Sequence, residues 1–276
     1  MPASEQIPQA SYRIALGVEY EGTHYSGWQR QLSPLQETVQ QHVERALSQI
    51  ANRQVSVICA GRTDAGVHAT CQVIHFDCAI DRGTKAWVVG SNSLLPDSIR
   101  ILWAKNVSAD FHARFSATSR RYFYLIYQRK IASVMFAGRI SHERAPLDLG
   151  AMNAAAQFLP GERDFSAFRA AGCQSKSANR NIMHARLYQE GSLIVFDIQA
   201  NAFLQHMVRN IIGSLLVVGR GQQSPGWIDE LLQGKDRSRA GKTASPHGLY
   251  LVGVNYPPQF EIPGEFSAPG FLAASA

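Results

Sequence analysis

The chain has 276 residues, 45% apolar and 17% charged, which describes a folded, soluble protein with room for a substantial core and excludes a disordered chain. The net charge of +6 comes from 27 basic and 21 acidic residues, and 21 of the bases are Arg, the cation that grips phosphate bidentately and stacks on bases. Nucleic acid is therefore a candidate partner, whereas the lack of any run of about eighteen apolar residues excludes a membrane-spanning helix.

The start, MPASEQIPQA, is polar, carries two prolines and lacks the basic and apolar regions of a secretion signal. It is expected to be a frayed tail, residues 1–10, of a cytoplasmic protein. SYRIALGVEY alternates apolar residues at Ile14, Leu16, Val18 and Tyr20 and predicts a strand. A Gly-punctuated loop, EGTHYSGWQRQ, leads to a predicted helix. Ser33 is placed to cap it, Pro34 fits its first position, Gln36 completes a capping box, and Leu35, Val39, Val43, Leu47 and Ile50 recur at helical spacing up to Asn52. QVSVICA and ATCQVIHFDC read as strands flanking a small loop. Residues 84–95 read as helix, SIRILWAKNV and SRRYFYLIYQ as strands, and Pro146 with Asp148 opens an Ala-rich helix to about Leu159. MHARLYQEGSLIVFDIQA predicts a hairpin turning at Glu190-Gly191. HMVRNIIGSLLVVGRG is a helix with Met207, Ile211, Leu215 and Val218 inward, Ser224-Pro225 opens a short one, and GLYLVGVNY is the last strand. Beyond Tyr256 the chain is expected to be loosely held. The order predicts an α+β fold with two similar halves, 11–110 and 111–257, sharing a mostly antiparallel sheet.

Four cysteines, Cys59, Cys71, Cys78 and Cys173, form no C-x-x-C pair and are expected to be reduced thiols. His68, Cys71, His75 and Cys78 have the look of metal ligands. On one extended strand, however, His68 and Cys78 lie about 33 Å apart and Cys71 and His75 face the other way, so no metal is expected there. The loop CAGRTDAGVHA sets Asp64 between Gly61 and Gly66, with Arg62 two residues before it. Its residue types suit an ordinary turn, and equally suit an ionised carboxylate held by a neighbouring cation as a nucleophile or electrostatic stabiliser. The sequence contains no P-loop, no G-x-S-x-G elbow and no H-E-x-x-H, and the loop holds one acid where a glycosidase uses two.

AGRTDAGVHA resembles the active-site loop of the tRNA pseudouridine synthase A family. VEYEGTHYSGWQRQ, NSLLP, FHARFSATSRRYFYLIY, DFSAFRAAGCQS, NAFLQHMVRNIIG and GLYLVGVNY resemble further family segments in family order, together spanning about residues 12–257. The resemblance implies the pseudouridine synthase fold, a mostly antiparallel sheet with helices on one side and a central cleft. It implies isomerisation of uridine to pseudouridine at positions 38, 39 and 40 in the anticodon stem-loop of tRNA, by base flipping, with no cofactor. A homodimer across which one tRNA lies is implied with it. No water is added in such a reaction, which accounts for the single acid.

By resemblance, Asp64 is the catalytic Asp. Arg62 borders it and is expected to hold and extrude the nucleotide, at a cost of a few kcal/mol of unstacking. Tyr122 is the motif Tyr that stacks on uracil and serves the C5 proton. Arg209 is the Arg that pairs with the catalytic Asp, and Leu249 lines the uracil pocket. Arg30, Arg114, Arg121 and Arg169, with Arg120 and Arg180, lie in or beside the resembling segments and are expected RNA contacts. Arg163 stands where the family often has His, SKSANR replaces a Thr-Pro-Trp-Arg-like run, and ASPHGLYL shifts an Ala-Pro by one residue. The first two departures are expected to alter contacts with the tRNA body. Two further readings remain, a non-catalytic tRNA-binding chaperone and an RNA N-glycosidase that releases uracil.

Overall fold

The structure is a computed structural model that describes residues 12–31, 36–263 and 266–272. A ten-stranded mixed sheet runs through the molecule. Eight strands form its path, in the order β4 (Ile99–Val107), β1 (Tyr12–Tyr20), β3 (His68–Cys78), β10 (Leu249–Asn255), β5 (Ser119–Gln128), β9 (Leu193–Ala200), β8 (Asn179–Glu190) and β7 (Gly161–Asp164). β2 (Ile58–Cys59) pairs with β3, and β6 (Ser141–Glu143) pairs with β5. All pairings are antiparallel except β5 with β6 and the short central contact of β10 with β3, Tyr250 to His68 and Leu251 to Ala69. β10, the last strand in sequence, thus returns to the middle of the sheet and lies between β3 of the first half and β5 of the second.

Among the described residues five α-helices follow in chain order: α1 (Val39–Ala51), the short α2 (Gly83–Lys85, continued by a π-turn over Ala86–Gly90), α3 (Leu149–Ala156), α4 (Met207–Gly219) and α5 (Trp227–Gly234). The buried apolar residues of α1, α3, α4 and α5 all join one core with Tyr122, Tyr124 and Ile126 of β5. Phe123 and Leu125, on the opposite face of β5, join a second, smaller cluster with Ile140, Val195, Val252 and Leu272. Strand alternation therefore separates a helix-covered face from a face covered by irregular chain.

Three local expectations change. Helix α1 begins at Val39, with an extended Thr38 before it, so Gln36 lies outside the helix; Ser33 and Pro34 fall outside the described residues. Its end is as expected, with Asn52 in the left-handed region at φ 52°. QVSVICA contributes only two paired residues to the sheet, since most of it is irregular chain. The described residues beyond Tyr256 are not loose. Phe260 and Leu272 are buried, and Ser267 N–H donates to Val252 O at 3.0 Å. Aromatic residues in a Pro-rich segment found a sheet face to cover.

Candidate active site

The loop 60–67 between β2 and β3 is clamped before its tip reaches solvent. Ala60 N–H donates to Val73 O (2.8 Å), and the Gln72 side chain bonds both the N–H (3.2 Å) and the C=O (2.6 Å) of Gly61. Trp28 N–H donates to Thr63 O (3.0 Å), and the Tyr20 hydroxyl bonds Thr63 Oγ1 at 2.8 Å. Gly66, at φ +77°, turns the chain back where a side chain would meet Pro246 and His247. Val67 N–H donates to Asp64 O, so the loop is a turn that also presents a carboxylate.

Asp64 is 27% exposed. Its Oδ2 lies 3.1 Å from Arg209 Nη1 and 3.4 Å from His206 Nε2. Arg209, in the first turn of α4, is itself fixed, its Nε donating to Ala244 O at 2.9 Å. The partner expected for this mid-motif Arg is therefore in place. His206 precedes the helix at φ 60°, a left-handed conformation uncommon for a residue with a Cβ. Sequence reasoning did not single it out, because it lies outside the helix and its backbone conformation, not helical spacing, aims the ring.

Tyr122 is 7% exposed, and its ring meets Phe203 edge-on at 5.1 Å. A Cβ at Gly61 would stand 3.4 Å from its hydroxyl, so that hydroxyl lies against the backbone of the Asp64 loop. Burial pushes the hydroxyl well above the ordinary tyrosine range. Arg120 draws it back and the Asp64 charge raises it again, leaving a net rise. Leu251 pairs with Tyr122 across the ladder. Leu249, buried, faces the same side two residues earlier, opposite Tyr124.

Arg120 is a buried brace. Its guanidinium donates to the carbonyls of Ala60, Arg114, Ala117 and Asn201, fixing the root of the Asp64 loop to the chain entering β5. Burial lowers its pKa, and the tightly satisfied donors explain how it is accommodated.

The remaining predicted residues scatter. Arg62 is exposed, and no carboxylate pairs with it among the described residues; the cation that meets Asp64 is Arg209. Arg30 is half exposed, its Nη1 3.8 Å from Glu44. Arg114 is exposed and its guanidinium lies over the Phe115 ring. Arg121 departs from the expected arrangement. It lies on the opposite face of β5 from Tyr122, bidentate to the fully buried Asp197 (2.7 and 2.6 Å) and 4.1 Å from the Phe266 ring centroid. Adjacent strand residues must face opposite ways, and the buried acid claims the guanidinium. Arg169 and Arg180 fold the departing SKSANR segment, Arg169 donating to Cys173 O and Ser175 O and Arg180 to Ser177 O and Asn179 O. His68 and His75, from the metal-like run, are structural. Their Nδ1 atoms accept from Gly22 N–H and Ala113 N–H, and burial lowers each pKa to about 4.

A family model described as tRNA pseudouridine synthase matches residues 17–116 and 155–257. Curated relatives named tRNA pseudouridine synthase A match over nearly the whole length. The protein of Pseudoalteromonas atlantica is 53% identical over 95% of this chain and 98% of its own. That of Cronobacter sakazakii is 51% identical over 98% and 99%, and that of Vibrio parahaemolyticus 53% identical over 94% and 98%. Both matched stretches carry the elements that converge here, the Asp64 loop in the first and α4 with β10 in the second, and the chain belongs to the tRNA pseudouridine synthase A family.

Proposed function

We propose that this isomerase of tRNA uridines acts at positions 38, 39 and 40 of the anticodon stem-loop, with Asp64 as its nucleophile and the target base flipped out of its stack. The observation that carries the reading is the meeting of Asp64 with Arg209, 3.1 Å apart, beside the buried ring of Tyr122.

The reaction breaks the bond from C1′ to N1 and forms one from C1′ to C5. N1 gains a proton and C5 loses one, so atoms balance without water. Asp64, paired with Arg209, attacks C1′ or stabilises the positive charge that grows there as the base departs. The detached uracil turns over against the ring of Tyr122, with Leu249 and Leu251 beneath. Those apolar walls hold the base without fixing one hydrogen-bonded orientation, which a rotating intermediate requires. The Tyr122 hydroxyl, raised in pKa by burial, keeps its proton at neutral pH, so it takes the C5 proton only while passing its own to water, rather than acting as a phenolate. Arg62, exposed beside the acid, fills the gap left by the extruded nucleotide and offsets part of the few kcal/mol of unstacking. Arg30, Arg114 and Arg169 carry backbone contacts. The working unit is a homodimer.

Incubation with tRNA carrying 5-tritiated uridine tests the reading. Wild-type protein should release tritium to water, while Asp64→Asn releases none and binds tRNA within a few-fold of wild type. Full release by Asp64→Asn would reject Asp64 as the nucleophile, and free uracil in the supernatant would mean an N-glycosidase.

A further inference from the structure

Beside Asp64, and separate from the Tyr122 niche, lies a cavity of about 600 Å³ between the loop 170–172 and the segment 237–243. This volume falls within the range of small-molecule sites. His206 is one of its lining residues, and the His206 side chain reaches Asp64, so one residue borders both cavity and acid. Its other polar walls include Gln205, Asn210, Arg237, Lys242 and Thr243. Arg237 and Lys242 are among its lining residues, and no Asp or Glu is, among the described residues.

The walls are built rather than draped. Asn210, 1% exposed, ties both lips together. Its Nδ2 donates to Phe168 O at 2.8 Å on one side, and its Oδ1 accepts from Arg237 Nη2 (3.0 Å) and Thr243 Oγ1 (2.7 Å) on the other. Gly241 N–H donates to Ser214 Oγ at 2.9 Å, so the segment 237–243 is fastened to α4. Arg237 is thereby held in place, while Lys242 is exposed and has no carboxylate partner among the described residues. A braced guanidinium and an exposed ammonium on one concave space, with the Gln205 amide beside them, suit a phosphodiester.

We propose that this cavity holds the sugar–phosphate of the nucleotide next to the target uridine. The proposal rests on the tRNA isomerase reading, and it gives the extruded base a mechanical anchor. Flipping a nucleotide requires its neighbour's backbone to be gripped while Asp64 reaches the ribose. His206, which borders both, makes the grip and the acid neighbours.

Lys242→Ala separates this from a diffuse charge effect. Its tRNA affinity should fall several-fold and its salt slope by about one, with Lys85→Ala, which removes the same charge elsewhere, as control. Anticodon stem-loops bearing a single neutral methylphosphonate on either side of the target should then be titrated against both proteins. At one of those linkages the modification should weaken binding to wild type and cost Lys242→Ala almost nothing further. If the penalties simply add at every linkage, Lys242 makes no specific contact and the proposal is wrong. An affinity for Lys242→Ala equal to wild type would also overturn it. Failure of the underlying reading would show separately, as absence of pseudouridine in tRNA treated with wild-type protein.

Discussion

Arg209 Nη1 and His206 Nε2 both approach the same oxygen of Asp64, Oδ2, and no bond to Oδ1 forms among the described residues. The two oxygens are therefore inequivalent, one engaged and one available to attack. Arg209 can do this because its guanidinium forks, with Nε on Ala244 O and Nη1 on the acid. Lysine has one nitrogen and cannot hold both. Arg209→Lys should lower the single-turnover rate of pseudouridine formation by about 100-fold or more while tRNA affinity, measured by filter binding, stays within a few-fold. Equal losses in both would mean that Arg209 serves binding. The motifs made Asp64, Tyr122 and Arg209 legible, since each is a short run in register. They could not show that His206 joins them, because its left-handed backbone, set at a helix start, decides where the ring points. Nor could they show that Arg121 is drawn to Asp197, a residue 76 positions away whose burial is a property of the sheet.

Helix α4 and the segment that crosses it place Arg209 between two fixed points. The crossing requires close backbone approach. A Cβ at Gly213 would stand 1.9 Å from Lys242 O, and one at Gly241 would stand 2.6 Å from Gly213 O. Two residues further along the segment, Ala244 exchanges backbone and side-chain bonds with Arg209, its N–H donating to Arg209 O and its O accepting from Nε. Gly213→Ala should therefore lift the segment, cost about 1–3 kcal/mol of stability by overpacking, and lower kcat by turning Arg209 off Asp64. Chemical denaturation and turnover assays check both parts; a stable variant with full kcat would show the crossing to be slack. Apolar periodicity made α4, α3 and most strands readable. It misplaced the start of α1, where Ser33-Pro34 looked like a better start than Thr38-Val39, because capping signals are local and the helix start is set by what α1 packs against. The same limit hid β10's place in the sheet, since no local signal tells a last strand to return to the middle.

The molecule as a whole hangs on one sheet with different chemistry on its two faces. The helix-covered face bears the candidate site, and the larger core cluster, which includes residues of both faces, runs from Ile14 to Phe260, so the two halves of the chain should unfold together. The other face carries a charge cluster instead. Asp197, fully buried, is bonded by Arg121, by His184 Nε2 at 2.8 Å and by Arg186 Nε at 3.1 Å, which joins β5, β9 and β8. Burial alone would raise its pKa, but hydrogen bonds from His184 and Arg121 outweigh it and bring the carboxyl down to about 2, from an ordinary value of 3.8. A depressed carboxylate stabilises the fold fully above its unfolded pKa, and that contribution drains away as pH falls from about 4 towards 2. Removing the charge leaves Arg121 facing an amide in a buried place. Because His184 and Arg186 remain partly in water, the cost should be about 2–3 kcal/mol at pH 7, below that of a fully enclosed pair. Asp197→Asn should thus melt lower at neutral pH and lose less further stability than wild type between pH 4 and pH 2. Parallel denaturant titrations across that range decide it. Curves that keep a constant separation down to pH 2 would mean that the Asp197 charge contributes nothing to the acid sensitivity of the fold.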